Sequence, residues 1–505
     1  MTKTFNWKIV IRTYGALLLI EALFMAIPTV AAYLYGDHDG AAFAVSTLIT
    51  LLFGAVGMRW GRNAQRRVSE REGYLIVALV WIVFSLFGML PFYLSGALDT
   101  ITDSWFETMA GFSTMGATVI ENVEVMSHAI LLWRAIMQWL GGMGIIVLSV
   151  AVLPLFGLGG MQLYAAEVTG VSYEKLSPRI TNTARLLWGT YVFLTLIETL
   201  LLNFFGMDMF DSVCHSMATV ATGGFSTKNT SLMLCSPAIQ YTVAVFMLLS
   251  GINFSQIIFF LRGKPDKLYH DEETRWYVGA VLICTVVLTL GLFVYYAFIQ
   301  PAEWLPALLE RNMLRGYAAH AEWAFRNSFF TTCAAITSTG FASADYMLWP
   351  KLIWVFVFLM MFTGGASGST AGGIKWVRIA IFAKNAFAEM YRRIHPNAVL
   401  PIRFNGRPLS QTVTNNVMAF LFFYVVIIIL ATMIFIACGI SPGEAFATAV
   451  SGMGNVGESL GQYGPAGNYA NFPIVAKWVM TVVMLIGRLE IFTVLLLFSP
   501  VLWRK

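Results

Sequence analysis

Four short polar turns, each with a glycine, recur along this chain, and each lies between two long apolar stretches. They are Ser113-Thr114-Met115-Gly116, Val220-Ala221-Thr222-Gly223, Ser338-Thr339-Gly340-Phe341 and Asn455-Val456-Gly457. The glycines at 116, 223, 340 and 457 repeat at about 110 residues, the mark of one unit duplicated in tandem. Each turn follows a short amphipathic segment, near 101–112, 209–220, 322–336 and 442–454. Four equal units can close around one axis. A glycine turn presented four times to that axis makes a ring of backbone carbonyls that replaces the water of a dehydrated cation.

The surroundings of the turns are those of a lipid bilayer. The chain of 505 residues is 58% apolar and 12% charged, against about 25% charged for soluble domains. Stretches long enough to span lie near 9–35, 41–58, 73–97, 128–157, 184–207, 237–261, 276–300, 351–382, 413–438 and 473–501. Lys3, Lys8 and Arg12 precede a first apolar run that is too long for a signal-peptide core, so it reads as an uncleaved membrane helix. The short segments before the turns fit re-entrant half-helices. Irregular backbone at membrane depth is tolerated only where protein buries it or an aqueous cavity wets it. Five cysteines without CxxC spacing speak against a metal site or a disulfide framework.

Ten spans and a cytoplasmic N-terminus satisfy the positive-inside rule. The cytoplasmic loops then hold Arg59, Arg62, Arg66, Arg67, Arg71, Lys175, Arg179, Arg262, Lys264, Lys267, Lys384, Arg392, Arg393, Arg403 and Arg407, and the tail Arg504 and Lys505. The other side receives Asp37, Asp39, Asp99, Asp103, Glu121, Glu124, Asp208, Asp345 and Glu458, with Arg311 and Arg315 as exceptions. All four turns enter from outside, although they played no part in choosing the topology. The expected fold is an all-α polytopic membrane protein. An N-terminal helix pair (1–65) precedes four helix, pore-helix, filter and helix repeats (66–160, 161–265, 266–385 and 386–505) around a pseudo-fourfold pore. The basic connection near 383–412 carries turn signals at His395-Pro396 and Asn405-Gly406.

Glycine suits the turns because aiming successive carbonyls inward requires backbone angles that a Cβ resists, and neighbouring Thr or Ser can hydrogen-bond locally. An ordinary loop glycine explains one copy but not four in register with the topology. Glu458 follows the fourth glycine, where it either concentrates cations or is a solvated carboxylate. The run from Gly364 through Gly365, Gly368 and Gly372 to Gly373 should break the span that contains it, giving a movable loop on the cytoplasmic side of the turns. A small-residue packing face is the alternative. Arg488, in Gly487-Arg488-Leu489-Glu490, is a charge inside a membrane helix. Such a charge faces a cavity or a partner, and its spacing from Glu490 does not favour a pair between them. Lys375 and Arg378 continue the broken span, and Gly141, Gly142 and Gly144 suggest close helix packing. No phosphate-binding loop, GxSxG, HExxH or Cys/His set supports an enzyme.

Together these motifs resemble the Trk/Ktr/HKT superfamily of potassium transporters. The stretches that carry the resemblance are Gly111 to Thr118, Trp139 to Gly144, Lys175 to Ile180, Ala221 to Thr227, Thr339-Gly340-Phe341 with Asp345, Gly364 to Lys375, His395 to Val399, and Gly487 to Glu490. The N-terminal helix pair is similar to that of the Trk membrane subunits rather than the shorter Ktr ones. The resemblance implies channel-like repeats with one filter glycine each, Gly116, Gly223, Gly340 and Gly457. It places the ion contacts on the carbonyls of Thr114, Met115, Ala221, Thr222, Ser338, Thr339, Asn455 and Val456. It makes Gly364–Gly373 an intramembrane gate and Arg488 the pore arginine. It also implies a homodimer embedded in lipid, a cytoplasmic ring of nucleotide-binding TrkA-type regulatory subunits, K+ as the transported ion and no organic cofactor. Nothing points to nucleic acid. Two departures bear on selectivity: Gly457-Glu458-Ser459 stands where the family commonly has Gly-Pro-Gly, and Met115 where it commonly has Thr. Glycine in all four filters favours potassium over the sodium-preferring plant relatives, which carry serine in the first.

The expectation is potassium uptake across a bacterial inner membrane, with both termini cytoplasmic, driven by about 2.3 kcal/mol per charge per 100 mV. The alternative is a sodium-permeable or ion-coupled cation symporter. A secondary transporter with inverted repeats is disfavoured, because the four repeats share one orientation.

Overall fold

The computed structural model describes residues 5–62, 70–144, 180–299, 317–398 and 400–503. The sequence features at Arg66, Arg67, Lys175–Arg179, Arg311, Arg315, Val399, Arg504 and Lys505 lie outside them. The first helix, Trp7–Tyr35, starts where the Asn6 side chain accepts the Ile9 N–H and stops at Gly36 (φ 75°). The chain returns as Gly40–Trp60. The two helices touch backbone to backbone: a Cβ on Gly15 would stand 2.6 Å from the Met58 nitrogen. The second helix leaves Leu48, Leu51, Leu52, Phe53 and Val56 exposed, the surface expected of a helix that faces lipid.

One order of elements then occurs four times: a long helix, a short helix, a turn and a second helix. In the first unit these are Glu70–Gly88 (continued by Leu90–Leu94), Ile101–Phe112 and His128–Gly142. The second has Ile180–Phe204, Met209–Val220 and Pro237–Ser250; the third has Glu272–Val294, Tyr317–Ile336 and Lys351–Met360; the fourth has Gln411–Ala437, Pro442–Gly454 and Ile474–Arg488. The first two short helices begin on side-chain caps: Thr100 accepts the Asp103 N–H, and Asp208 accepts the Phe210 N–H. The fold is therefore the expected all-helical membrane architecture.

The count of straight spans differs from the sequence expectation of ten. Among the described residues six helices are long and apolar enough to cross, or eight if two bent pairs each count as one span, and the expected span 128–157 lies outside the described residues beyond 144. The reason lies in the second helices. Pro237–Ser250 bends by 104° into Phe254–Leu261, and Ile474–Arg488 by 115° into Phe492–Phe498. Lys351–Met360 ends before the Gly364–Gly373 run and resumes as Trp376–Ile394. Hydropathy counts each bent or broken stretch as one span because both halves are apolar.

Glycines also set how close the second helices come to the short ones. A Cβ on Gly141 would fall on the Phe112 carbonyl, and one on Gly487 on the Met453 carbonyl, well under 3 Å in both cases. Beyond the helices, Arg403–Phe404 and Arg407–Pro408 pair as a two-stranded hairpin. Its turn is the expected Asn405-Gly406, with φ of 49° and 74°.

Candidate functional site

The four short helices end alike. The N–H groups of Met115, Gly223, Thr339 and Val456 donate to the carbonyls of Ala110, Ala218, Ala334 and Ser451 at 2.9, 2.8, 2.9 and 2.9 Å. The residues just before them, Thr114, Thr222, Ser338 and Asn455, have φ of 55°, 52°, 53° and 54°. These are four of the seven left-handed non-glycine residues among those described, and strain of this kind gathers at functional sites. The equivalent residues after them are Gly116, Gly224, Gly340 and Gly457.

This corrects the second turn by one residue. Gly224, with φ 80°, stands in the place of the other three glycines, not Gly223. Ala221 caps its short helix, as Ser113 does in the first unit. The adjacent pair Gly223-Gly224 hid the register, and matching Thr222 to Thr114 would have revealed it.

The turns form a closed ring. A Cβ on Gly116 would stand 3.2 Å from the Gly223 carbonyl oxygen. On Gly224 it would meet the Thr339 carbonyl, and on Gly340 the Val456 carbonyl, both well under 3 Å. On Gly457 it would stand 2.5 Å from the Gly116 Cα. Each turn thus abuts the next, and the fourth returns to the first. The C-termini of all four short helices face this ring, each bearing roughly half a negative charge from its dipole.

Polar side chains brace the ring from behind. Gln138 Nε2 donates to the Gly223 carbonyl (2.5 Å), and its Oε1 accepts the Phe225 N–H (3.0 Å), tying the first unit to the second. Arg134 Nε is paired with Glu107 at 2.8 Å; the side chains are 2% and 0% exposed. The arginine also donates to the Ser226 carbonyl (3.1 Å) and lies over the Phe225 ring. Tyr469 Oη donates to the Gly457 carbonyl at 2.9 Å, and Ser451 Oγ accepts the Gly457 N–H at 3.1 Å. Lys477 joins Asp103 at 2.6 Å across the first and fourth units. Sequence reasoning gave no bracing role to Gln138, Glu107 or Lys477; Gln138 and Lys477 are polar residues within apolar stretches, and Glu107 lies in the amphipathic segment before the first turn.

The Gly364–Gly373 segment is a non-helical loop packed against the C-terminal ends of the short helices. A short parallel bridge between Thr363 and Ile374 closes its base. The Gly372 N–H donates to Ser338 Oγ at 2.5 Å, and Thr370 Oγ1 donates to the Val220 carbonyl at 3.0 Å. A Cβ on Gly372 would collide with the Gly454 carbonyl. The loop is therefore bonded to the second and third units and packed against the fourth. Arg488 donates to the carbonyls of Thr370 (2.8 Å), Gly141 (2.5 Å) and Gly142 (2.8 Å), joining it to the first. Glu490 pairs instead with Arg378, as the spacing argument anticipated. Below them opens a cavity of about 910 Å³, lined by the loop, Asn253, Lys375, Arg488 and Glu490 among others.

Glu458 is half-buried behind the fourth turn rather than solvated. It lines a narrow gap with Gly340, Tyr346 and Val456. Burial, reinforced by the charge of Asp345, holds its carboxyl well above the ordinary carboxylate range. Among the described residues, no cluster of three or more His, Cys, Asp or Glu is placed to hold a metal ion.

Comparison with known proteins agrees with this architecture. Residues 40–505 match the family described as TrkH, cation transport protein. The Trk system potassium uptake protein TrkH of Escherichia coli (strain K12) is 38% identical over 99% of this chain and 100% of its own length. The TrkI protein of Halomonas elongata, also described as a Trk system potassium uptake protein, is 33% identical over 99% and 98%. The crystal structure of the potassium transporter TrkH from Vibrio parahaemolyticus superposes with a TM-score of 0.86 at 33% identity, covering 99% of this chain and 100% of the other. The chain belongs to the TrkH family of cation transport proteins.

Proposed function

We propose that this protein admits potassium ions across a bacterial inner membrane through the ring of four turns. The observation that carries the reading is the closed contact of Gly116, Gly224, Gly340 and Gly457 around one axis at the C-termini of four short helices. Carbonyl oxygens there replace water without the deep binding of a carboxylate, and four helix dipoles favour a cation at the same point. The carbonyls in register are those of Thr114, Thr222, Ser338 and Asn455 and of Met115, Gly223, Thr339 and Val456. Potassium is cargo, and no organic cofactor enters the reading.

In this reading the Gly364–Gly373 loop is the gate, held shut by its bonds to Ser338, Val220 and Arg488. The guanidinium adds a positive barrier beneath the ring. The cavity below is the cytoplasmic vestibule, both termini are cytoplasmic, and the four repeats have the bounds read from the sequence. A TrkA-type nucleotide-binding subunit on the cytoplasmic face opens the loop, and two copies of this chain form the membrane unit. The names of the relatives as parts of a Trk system support a partner of this kind.

The test is rubidium influx and growth at low potassium in cells unable to take up potassium, with this chain alone and with the cytoplasmic partner. Influx that excess sodium does not suppress supports the reading. Influx that sodium abolishes, or none in either condition with the protein present in the membrane, overturns it.

A further inference from the structure

We infer that the ion-facing turns are held by struts of unequal chemistry behind them, with Glu107, His215 and Thr448 as positioning residues for ion discrimination. The inference rests on the proposal that the four turns select the ion. It begins from the register established above. Eight residues before Met115, Gly223, Thr339 and Val456 stand Glu107, His215, Thr331 and Thr448. Three residues after them stand Thr118, Ser226, Ala342 and Ser459.

In three units these two positions are bonded to each other. Thr118 Oγ1 donates to the Glu107 carboxylate (3.0 Å), which also accepts the Val119 N–H (2.9 Å). His215 Nδ1 lies 2.8 Å from the Asp211 carbonyl and so carries the proton; Nε2 therefore accepts from the Ser226 hydroxyl at 2.9 Å. The Thr448 and Ser459 hydroxyls meet at 3.1 Å. Glu107, His215, Thr448 and Ser459 are all at most 1% exposed. The pattern is one geometric device, a bond from the short helix to the segment that leaves the turn, built from a carboxylate, an imidazole and a hydroxyl.

The third unit makes this bond elsewhere, one helical turn earlier: Ser343 Oγ donates to Asn327 at 2.9 Å. Thr331 faces Ala342, which has no hydroxyl, and both line the narrow gap behind that turn. A strut that spans a turn fixes how far its carbonyls can move when a smaller ion offers a shorter contact. Losing one releases those carbonyls toward sodium while leaving the helices in place. The predicted phenotype is therefore a change in ratio rather than a loss of transport.

The experiment measures rubidium and sodium influx in potassium-uptake-deficient cells carrying Thr118→Val, Ser226→Ala or Ser459→Ala, scaled to membrane abundance. Each should lower the rubidium-to-sodium ratio by about fivefold, the equilibrium equivalent of one buried hydrogen bond. Thr118→Ser, which keeps the hydroxyl, should restore the ratio. Equal loss of both fluxes, or an unchanged ratio, would overturn the inference and leave the pairs as packing only. Gly340→Ala is run alongside. If it shifts the ratio while the strut variants do not, only the inference fails; if it too leaves the ratio unchanged, the filter reading fails with it.

Discussion

Alanine at the four ring glycines should produce a graded loss of discrimination that follows the geometry at each position. At Gly224 the new Cβ falls on the Thr339 carbonyl oxygen and at Gly340 on that of Val456, so each carbonyl must retreat by about 1 Å. Left-handed backbone carrying a Cβ adds about 1–2 kcal/mol at each position. Moving an oxygen with about half a charge from 2.8 to 3.8 Å from a cation weakens the attraction by roughly 0.8 kcal/mol at an effective dielectric of about 20. That is about fourfold per displaced carbonyl. At Gly116 the Cβ would stand 3.2 Å from the Gly223 oxygen, which need give way by only a few tenths of an ångström. The same arithmetic then yields less than about twofold. The assay is rubidium influx against increasing sodium in potassium-uptake-deficient cells. A Gly116→Ala effect as large as those of Gly224→Ala and Gly340→Ala, or full discrimination in the latter two, would refute the argument.

Four further outcomes follow from the same geometry. Arg488→Ala removes donors to Thr370, Gly141 and Gly142 and the charge beneath the ring, so influx through the chain without its partner should rise severalfold; a detergent-solubilised protein that melts early with no added flux would indicate a structural role instead. Ser338→Ala deletes the acceptor of the Gly372 N–H and should also raise partner-independent influx, by about fivefold for one hydrogen bond; an unchanged leak would show that this bond does not hold the loop. Burial and the charge of Asp345 hold the Glu458 carboxyl above the ordinary carboxylate range, so it charges at a higher pH than a free carboxylate. Rubidium influx should therefore climb with pH above the ordinary carboxylate range in the native chain and stay flat in Glu458→Gln, and parallel profiles would remove Glu458 from conduction. Lys477→Met strands Asp103, whose side chain keeps 24% exposure. The expected loss of about 2 kcal/mol would appear as an earlier thermal midpoint in detergent.

Much of this architecture was legible in the sequence because the bilayer imposes a coarse grammar. Apolar length marked the helices, and the Gly364–Gly373 run marked the break. Arg488 stood out as a charge where lipid permits none, and its distance from Glu490 predicted that the two would not pair. What the sequence concealed was relative placement. Hydropathy cannot distinguish a straight span from Pro237–Ser250 bent by 104° into Phe254–Leu261. Two adjacent glycines left the second turn ambiguous, and the hydrogen bond from Gly223 to Ala218, with the left-handed Thr222 before it, fixes its register. Glu107 and Arg134 are 27 residues apart on different helices, so neither announces its partner. The resemblance between Glu107, His215 and Thr448 emerges only after the turns are aligned by backbone.

The unequal bracing of the turns bears on how a loop beneath a filter can control it. A ring with four identical rear struts would transmit little from below, because each turn would be fixed against its own helix. Here the turn whose strut is shifted to Asn327 and Ser343, Ser338-Thr339-Gly340, is the one whose hydroxyl accepts the Gly372 N–H. Its remaining side-chain bonds are local: Thr337 to Thr339 at 2.7 Å, and Ser338 to the Thr337 carbonyl at 2.7 Å. A narrow gap separates it from the fourth turn, lined by Thr331, Ala342, Val456 and Glu458. In the proposed mechanism, withdrawal of the loop therefore frees the vestibule and also unloads the third turn, whereas the Glu107, His215 and Thr448 struts keep the other three in register. A fourfold ring built from four different sequences can thus divide its tasks, with three turns setting the geometry and one able to respond to the gate.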